Sequence, residues 1–364
     1  MRILHVITTL DTGGAERLMV DLLPLLNEKG HHVELLLFNG FETPFRIELE
    51  QRGVTIHELS IISKTEKCLD VYNPLHIIRM RRFLKGYDII HTHNTACQLY
   101  VPIATFLFGT QVKLITTEHN TTSRKRSMRV FKPIDNWMYN QYSSVICIGD
   151  SACENLKQYL GSDCNTCVIY NGVDTHRFLH PIKDVSQENN YVITMVAGFR
   201  PQKDQDTLIR AFKHLPSKYV LRLVGEGERE SQLRSLCREL GLEDRADFMG
   251  ARMDVPEILE QSDVVVLSSH WEGLSLSSIE GMASGRPFIA SDVDGLRDVV
   301  KGAGVLSPHG DEKALAESIQ KLCENPSYYA EVAAACQERA KEYDISVMAD
   351  RYCQLYQEIM SNNN

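Results

Sequence analysis

The sequence predicts an α/β protein built from two doubly wound parallel sheets in tandem. Three observations predict it. Short apolar runs alternate with segments of helical period, the pattern of βαβ units whose strands are covered on both faces. The pattern restarts near residue 191 after a polar stretch. The length, 364 residues, suits two domains better than one.

The elements follow in order. Residues 2–8 read as a buried strand, and a helix over 15–29 follows the turn Asp11-Thr12-Gly13-Gly14, with Gly30 as its C-cap. Further strands are expected at 33–38, 54–58, 88–92, 113–117 and 144–148, with helices near 74–85 and 151–160. Residues 181–190 are polar, lack an apolar period, and read as a linker. Beyond it lie strands at 191–197, 219–224, 247–249, 264–267 and 287–290. Helices intervene at 206–214, 229–240, 255–262 and 275–283, and residues 311–325 and onward to 360 read as helices. The domains are thus expected at 1–172 and 173–344.

Composition excludes several classes. The net charge of −9 argues against a nucleic-acid binder, because phosphate contacts need cations. The charge is uneven: residues 1–172 carry 18 basic and 17 acidic side chains, the remainder 21 and 31. No run approaches the roughly 18–20 apolar residues of a membrane helix. The start runs straight into a strand pattern instead of a secretory signal, so a cytoplasmic protein is expected. Ten cysteines are expected as free thiols. Cys164-x-x-Cys167 has no second pair to complete a zinc site.

In doubly wound sheets ligands bind beyond the carboxyl ends of strands, and the unusual residues sit there. Gly13 and Gly14 open a helix, where backbone can approach a ligand and free N–H groups favour an anion. Arg200 and Lys203 leave the first strand of the second half together, as two cations able to stabilise a diphosphate leaving group. The segment from Ser268 to Glu280 is the richest. Gly273 permits a tight turn, the N–H groups of Gly273, Leu274, Ser275 and Leu276 can receive phosphate oxygens, and Glu272 and Glu280 can each accept from paired sugar hydroxyls. Taken singly, each of these also reads as a plain turn, a surface cation or an acid near a helix start.

Histidines gather in the first half. His91 and His93 share one side of a strand, and His119 ends the next. Three histidines invite a metal, but no ligand motif supports one, and hydrogen bonding to sugar hydroxyls suits His119 better. His93, Asn94, Arg124 and Arg126 are taken as acceptor-side residues. Asp292-Val293-Asp294 reads as a turn more readily than as a metal site. The segments 79–85 and 124–132 mix cations with apolar residues, as a surface resting on anionic lipid would; a solvated helix face is the equal alternative.

Gly13-Gly14, His119, Asn171-Gly172-Val173-Asp174, Gly198…Arg200…Lys203, Gly225-Glu226-Gly227 and Trp271-Glu272-Gly273…Glu280 occur in that order. With these motifs the chain closely resembles the retaining, nucleotide-sugar-dependent glycosyltransferases of the GT-B fold, family 4. The resemblance implies two Rossmann-like domains facing across a cleft, the first on the acceptor side and the second binding the nucleotide sugar. It implies that the final helix, within 345–364, returns to the first domain. Glu280 would hold the donor ribose, Glu272 and His119 the donor sugar, and Arg200 and Lys203 the departing diphosphate. Gly13, Gly14, Gly225 and residues 273–276 would line the donor. The acceptor hydroxyl would attack from the face the diphosphate leaves, passing its proton to a donor phosphate oxygen, so neither a metal nor another cofactor is required. The expected partners are a nucleotide sugar, most simply a UDP-sugar, a glycan or polyprenyl-diphosphate-linked acceptor and an anionic membrane. A nucleotide-sugar epimerase and a non-catalytic scaffold are the alternatives.

Overall fold

The apolar runs form two all-parallel sheets in a computed structural model that describes residues 1–11, 13–61, 70–119, 129–161, 164–185 and 190–361. The chain divides into two compact units, Met1–Gly172 with Ile345–Asn364, and Val173–Asp344.

The first unit holds β1 (Arg2–Ile7), β2 (His32–Asn39), β3 (Thr55–Ser60), β4 (Ile89–His93), β5 (Lys113–Glu118), β6 (Ser144–Cys147) and β7 (Thr166–Val168), in the order β3-β2-β1-β4-β5-β6-β7. The order reverses between β1 and β4. Successive side chains of a strand point to opposite faces, and β1 shows the result. Ile3 and Ile7 pack with Leu18 and Leu22 of helix Gly14–Glu28 and with Met348, Tyr352 and Tyr356 of the last helix, Ile345–Ser361. Leu4 and Val6 pack with Ala96 and Val101 of helix Thr95–Phe108.

The second unit holds β8 (Tyr191–Val196), β9 (Tyr219–Val224), β10 (Ala246–Gly250), β11 (Val264–Leu267), β12 (Phe288–Ser291) and β13 (Val305–Ser307), in the order β10-β9-β8-β11-β12-β13. Here the reversal lies between β8 and β11. Ile193, Met195, Leu221, Leu223, Val265 and Phe288 form the centre of its core.

Some expectations change. Helices Pro44–Gln51, Thr95–Phe108 and Lys132–Tyr139 and the three-residue edge strands β7 and β13 add to the reading. The helix expected at 74–85 is a short α-helix, Leu75–Arg79, continued by a tighter 3-10 turn, Met80–Phe83. Residues 181–185 are not a linker. Val185 is buried in the second core, Lys183 Nζ lies 2.6 Å from Asp263 Oδ1, and the Pro181 carbonyl accepts from Arg286. The chain crosses between units at Gly172 and again at Asp344, and these crossings are adjacent, because Val173 N donates to Tyr343 O at 3.0 Å. No disulfide joins the described cysteines. No helix among the described residues is long and apolar enough to cross a membrane.

Candidate functional site

A reversal in strand order leaves a crevice at the carboxyl ends of the two strands flanking it. In the second unit those strands are β8 and β11. Residues 198–204 leave β8, anchored by Phe199, which is fully buried and meets Phe248 edge to face with centroids 5.9 Å apart. Phe199 N donates to Glu226 O at 2.9 Å, tying this loop to the one after β9. The contact explains Gly225. Its φ is 144°, and a Cβ there would lie 2.1 Å from the Ala197 carbonyl oxygen. Gly225, expected among the donor-binding residues, thus has a structural duty in this unit: it lets two strand-end loops pass backbone on backbone.

Arg200 is exposed, and its guanidinium makes no hydrogen bond or ion pair among the described residues. Lys203 differs from the expectation of two cations aimed at one place. Its Nζ lies 2.6 Å from Glu272 Oε1. The Glu272 carboxylate is buried and also accepts from Ser269 Oγ at 2.6 Å and from Gln202 Nε2 at 3.3 Å. Gln202 further joins the two loops by donating to Trp271 O at 2.8 Å and accepting from His270 N at 2.8 Å. Ser269 and Gln202 carry no motif, so sequence reasoning missed them.

The Glu272-Gly273 turn rests on another glycine. Gly295 has φ 81°, and a Cβ on it would come within 2.2 Å of Gly273 O and 2.4 Å of Glu272 O. After the turn, Leu274 and Ser275 are buried, and helix Leu276–Ala283 begins with Ser275 extended as its N-cap. Glu280 lies half-buried in the second turn of this helix. The helix start leaves backbone N–H groups without intrahelical partners, a place suited to an anion.

Asp292 and Asp294 both bind Arg297, which supports the turn reading. Asp204, His270 and His309 bring three ligand-type atoms within 4.8 Å of one another. His270 Nδ1 and His309 Nε2 are hydrogen-bonded at 2.7 Å, and Asp204 already caps helix Gln205–Ala211 through Thr207 N.

In the first unit the reversal lies between β1 and β4. Gly13 and Gly14 are exposed at the start of helix Gly14–Glu28. At the end of β4, Asn94 has a positive φ of 69°, rare outside glycine, and donates from Nδ2 to Thr8 Oγ1 at 3.1 Å. His93 needs a correction. It is fully buried, with Nε2 3.0 Å from His5 Nδ1 and Nδ1 3.1 Å from His119 Nε2. Both nitrogens are taken, so it stands behind His119 and has none to offer an acceptor. His119 is half-buried at the end of β5. Burial lowers the His5 pKa to about 3 and that of His119 to about 4, and pushes His91 and His93 well below the ordinary value. His5, His91 and His93 lie close enough to share a metal. All six of their ring nitrogens, however, sit within hydrogen-bond distance of protein groups. Arg124 and Arg126 lie outside the described residues, as does most of the 124–132 cluster. In the 79–85 cluster, Arg79 and Arg82 donate to the Leu59 and Glu58 carbonyls.

Comparison with known proteins agrees with this layout. The family described as Glycosyltransferase Family 4 matches residues 12–177, and the one described as Glycosyl transferases group 1 matches residues 178–343. A UDP-Gal:α-D-GlcNAc-diphosphoundecaprenol α-1,3-galactosyltransferase of Escherichia coli is 30% identical over 246 residues, covering 62% of this chain and 63% of that protein. A phosphatidyl-myo-inositol mannosyltransferase of Mycobacterium leprae is 24% identical over 97% of this chain and 95% of its own. The crystal structure of Anabaena HepE in complex with UDP and glucose matches with a TM-score of 0.84 at 23% identity, over 98% of this chain and all of that one; it shares the fold. Two consecutive family matches on this pair of doubly wound sheets place the chain: it belongs to the group 1 glycosyltransferases of the GT-B fold.

Proposed function

We propose that this chain moves a sugar from a UDP-sugar, with retained anomeric configuration, to a glycan or polyprenyl-diphosphate-linked acceptor in bacterial surface polysaccharide synthesis. The observation that carries the reading is the arrangement at the β8–β11 reversal. A buried carboxylate, Glu272, is fixed by Lys203 and Ser269. These loops also carry Arg200, a cation unpaired among the described residues, and lead into the helix that bears Glu280. A fixed carboxylate suits sugar hydroxyls. A free guanidinium with a helix N-terminus suits a developing diphosphate charge. Glu280 holds the ribose, residues 273–276 present backbone to the donor, and Gly13, Gly14 and His119 contribute from the first unit. The positive field comes from protein groups, so transfer proceeds without a metal. The E. coli relative named for a UDP-galactose donor and a diphosphoundecaprenol acceptor supports both choices.

A peripheral contact with anionic membrane at the inner face of the cytoplasmic membrane completes the proposal. Its support is that Leu75, Ile78, Phe106, Leu107 and Trp137 of the first unit are exposed, with the Phe106 and Trp137 rings 6.2 Å apart and Arg81 over the Phe108 ring.

A panel of nucleotide sugars, offered with undecaprenyl-diphosphate-linked saccharides and anomeric analysis of products, tests the reading. UDP-sugar consumption giving an axial-to-axial or equatorial-to-equatorial product is expected. No consumption across the panel refutes it. Arg200→Ala is expected to lower kcat roughly 100-fold, the loss typical of one charge-stabilising donor; an unchanged rate removes Arg200 from the machinery.

A further inference from the structure

Seven polar side chains of the first unit form a continuous hydrogen-bonded series. The Tyr352 hydroxyl lies 2.9 Å from Thr117 Oγ1, and Thr117 Oγ1 lies 2.8 Å from His91 Nε2. His91 Nδ1 lies 2.7 Å from the Tyr356 hydroxyl, which is 3.3 Å from His5 Nε2. His5 Nδ1 reaches His93 Nε2 at 3.0 Å, and His93 Nδ1 reaches His119 Nε2 at 3.1 Å. The first six residues are fully buried, so each proton in the series must find its acceptor inside it.

Counting protons fixes the direction. A neutral imidazole has one donor and one acceptor nitrogen, and a hydroxyl has one proton. Tyr352 has one polar partner among the described residues, Thr117, so it must donate to it. Thr117 then gives its own proton to His91 Nε2, and His91 donates from Nδ1 to Tyr356. Tyr356 donates to His5 Nε2, His5 donates from Nδ1 to His93 Nε2, and His93 donates from Nδ1 to His119 Nε2. The opposite direction strands one buried hydroxyl proton, that of Tyr352 where Thr117 donates to it or that of Thr117 where it accepts from both neighbours, at a cost of about 1–3 kcal/mol. Burial keeps the imidazoles neutral, as their lowered pKa values indicate, and a charged ring would break the one-donor, one-acceptor count.

We propose that this one-way series fixes His119 as the Nδ1–H tautomer, so that it presents a hydrogen-bond donor to an acceptor oxygen of the bound ligand. Tyr352, Thr117, His91, Tyr356, His5 and His93 are positioning residues that act through His119. That the oxygen belongs to the donor sugar rests on the proposed function; the tautomer does not.

The full chain, labelled with 15N at histidine, decides the tautomer by NMR, with the His119 signals assigned by their loss in His119→Gln. Expected is a protonated Nδ1 with an unprotonated Nε2. A protonated Nε2, the form free histidine favours in water, or an imidazolium overturns the proposal. Tyr356→Phe deletes one oxygen and cuts the series. It is expected to move both His119 nitrogens toward shifts averaged over two tautomers, and unmoved nitrogens overturn the part given to Tyr356. The wild-type tautomer decides the proposal even where that variant does not fold. In turnover, Tyr356→Phe is expected to raise the KM for the donor about fivefold with a smaller change in kcat, the size of one hydrogen bond; an unchanged KM overturns the link to donor binding. Failure of every nucleotide sugar to react removes the proposed function and leaves the tautomer result standing.

Discussion

Glu272 shows what one buried side chain must satisfy. Its carboxylate answers Lys203, Ser269 and Gln202, so removing its charge also strands an ammonium group that is largely shielded from water. Leaving one partner of a buried pair alone costs about 3–5 kcal/mol, although the partial exposure of Lys203 reduces that figure here. Glu272→Gln is therefore expected to lower both turnover and the urea midpoint of the second unit. Lost turnover with an unchanged midpoint would mean that the ion pair has no structural weight. Gly225→Ala separates structure from chemistry differently. Its methyl would strike the Ala197 carbonyl at a φ of 144°, and a destabilisation of about 2 kcal/mol or more is expected from overpacking and strain together, read by denaturation through Trp271. The spacing of Glu272 and Glu280 was legible in the sequence because a tight turn and a helix start have residue signatures. Ser269, Gln202 and Gly295 were not, because their meaning lies in contacts between loops far apart in the chain.

At the scale of elements, strands buried on both faces were the most legible, since a short, continuous apolar run between turn residues fits little else in a soluble α/β chain. β7 and β13 were not, being three residues long at sheet edges. Helix Thr95–Phe108 was hidden by its own apolarity: with eight of its residues buried and Pro102 inside it, it lacks the polar face that marks an amphipathic helix. Its exposed end, Phe106 and Leu107, lies near Trp137 of helix Lys132–Tyr139, with the Phe106 and Trp137 rings 6.2 Å apart. These helices present apolar side chains to solvent on the unit that carries less net negative charge. Phe106→Ser with Leu107→Ser is expected to weaken retention on vesicles containing anionic phosphatidylglycerol by roughly 10-fold or more, from lost apolar burial. Equal retention of variant and wild type would exclude this face.

The two units should answer acid differently. Above pH 6.5, His5 is neutral in both the folded and unfolded chain. Below that, the unfolded chain takes up a proton that the folded chain refuses until about pH 3. Folded stability is thus complete above 6.5 and is lost as pH falls across that window. Each such histidine costs about 1.4 kcal/mol per pH unit well inside the window, and His91, His93 and His119 shift in the same direction. All four belong to the first unit. In the full chain, Trp271→Phe leaves Trp137 to report that unit, and Trp137→Phe leaves Trp271 to report the other. Between pH 7.5 and 5 the Trp137 signal is expected to lose far more of its urea midpoint than the Trp271 signal, and parallel losses would contradict this distribution of charge.

The return of the chain at Ile345 also sets an order of assembly during synthesis. Met348, Tyr352 and Tyr356 help close one face of the first sheet, yet in the chain they follow the whole second unit. A nascent chain ending at residue 344 has every described strand of both sheets, but that face is only partly covered, by helix Gly14–Glu28, and His5 lacks the phenol that orients it. The unit translated first is therefore the one finished last. Its apolar face must wait through the synthesis of the entire second unit, which makes this interval the one in which a chaperone would find most to hold.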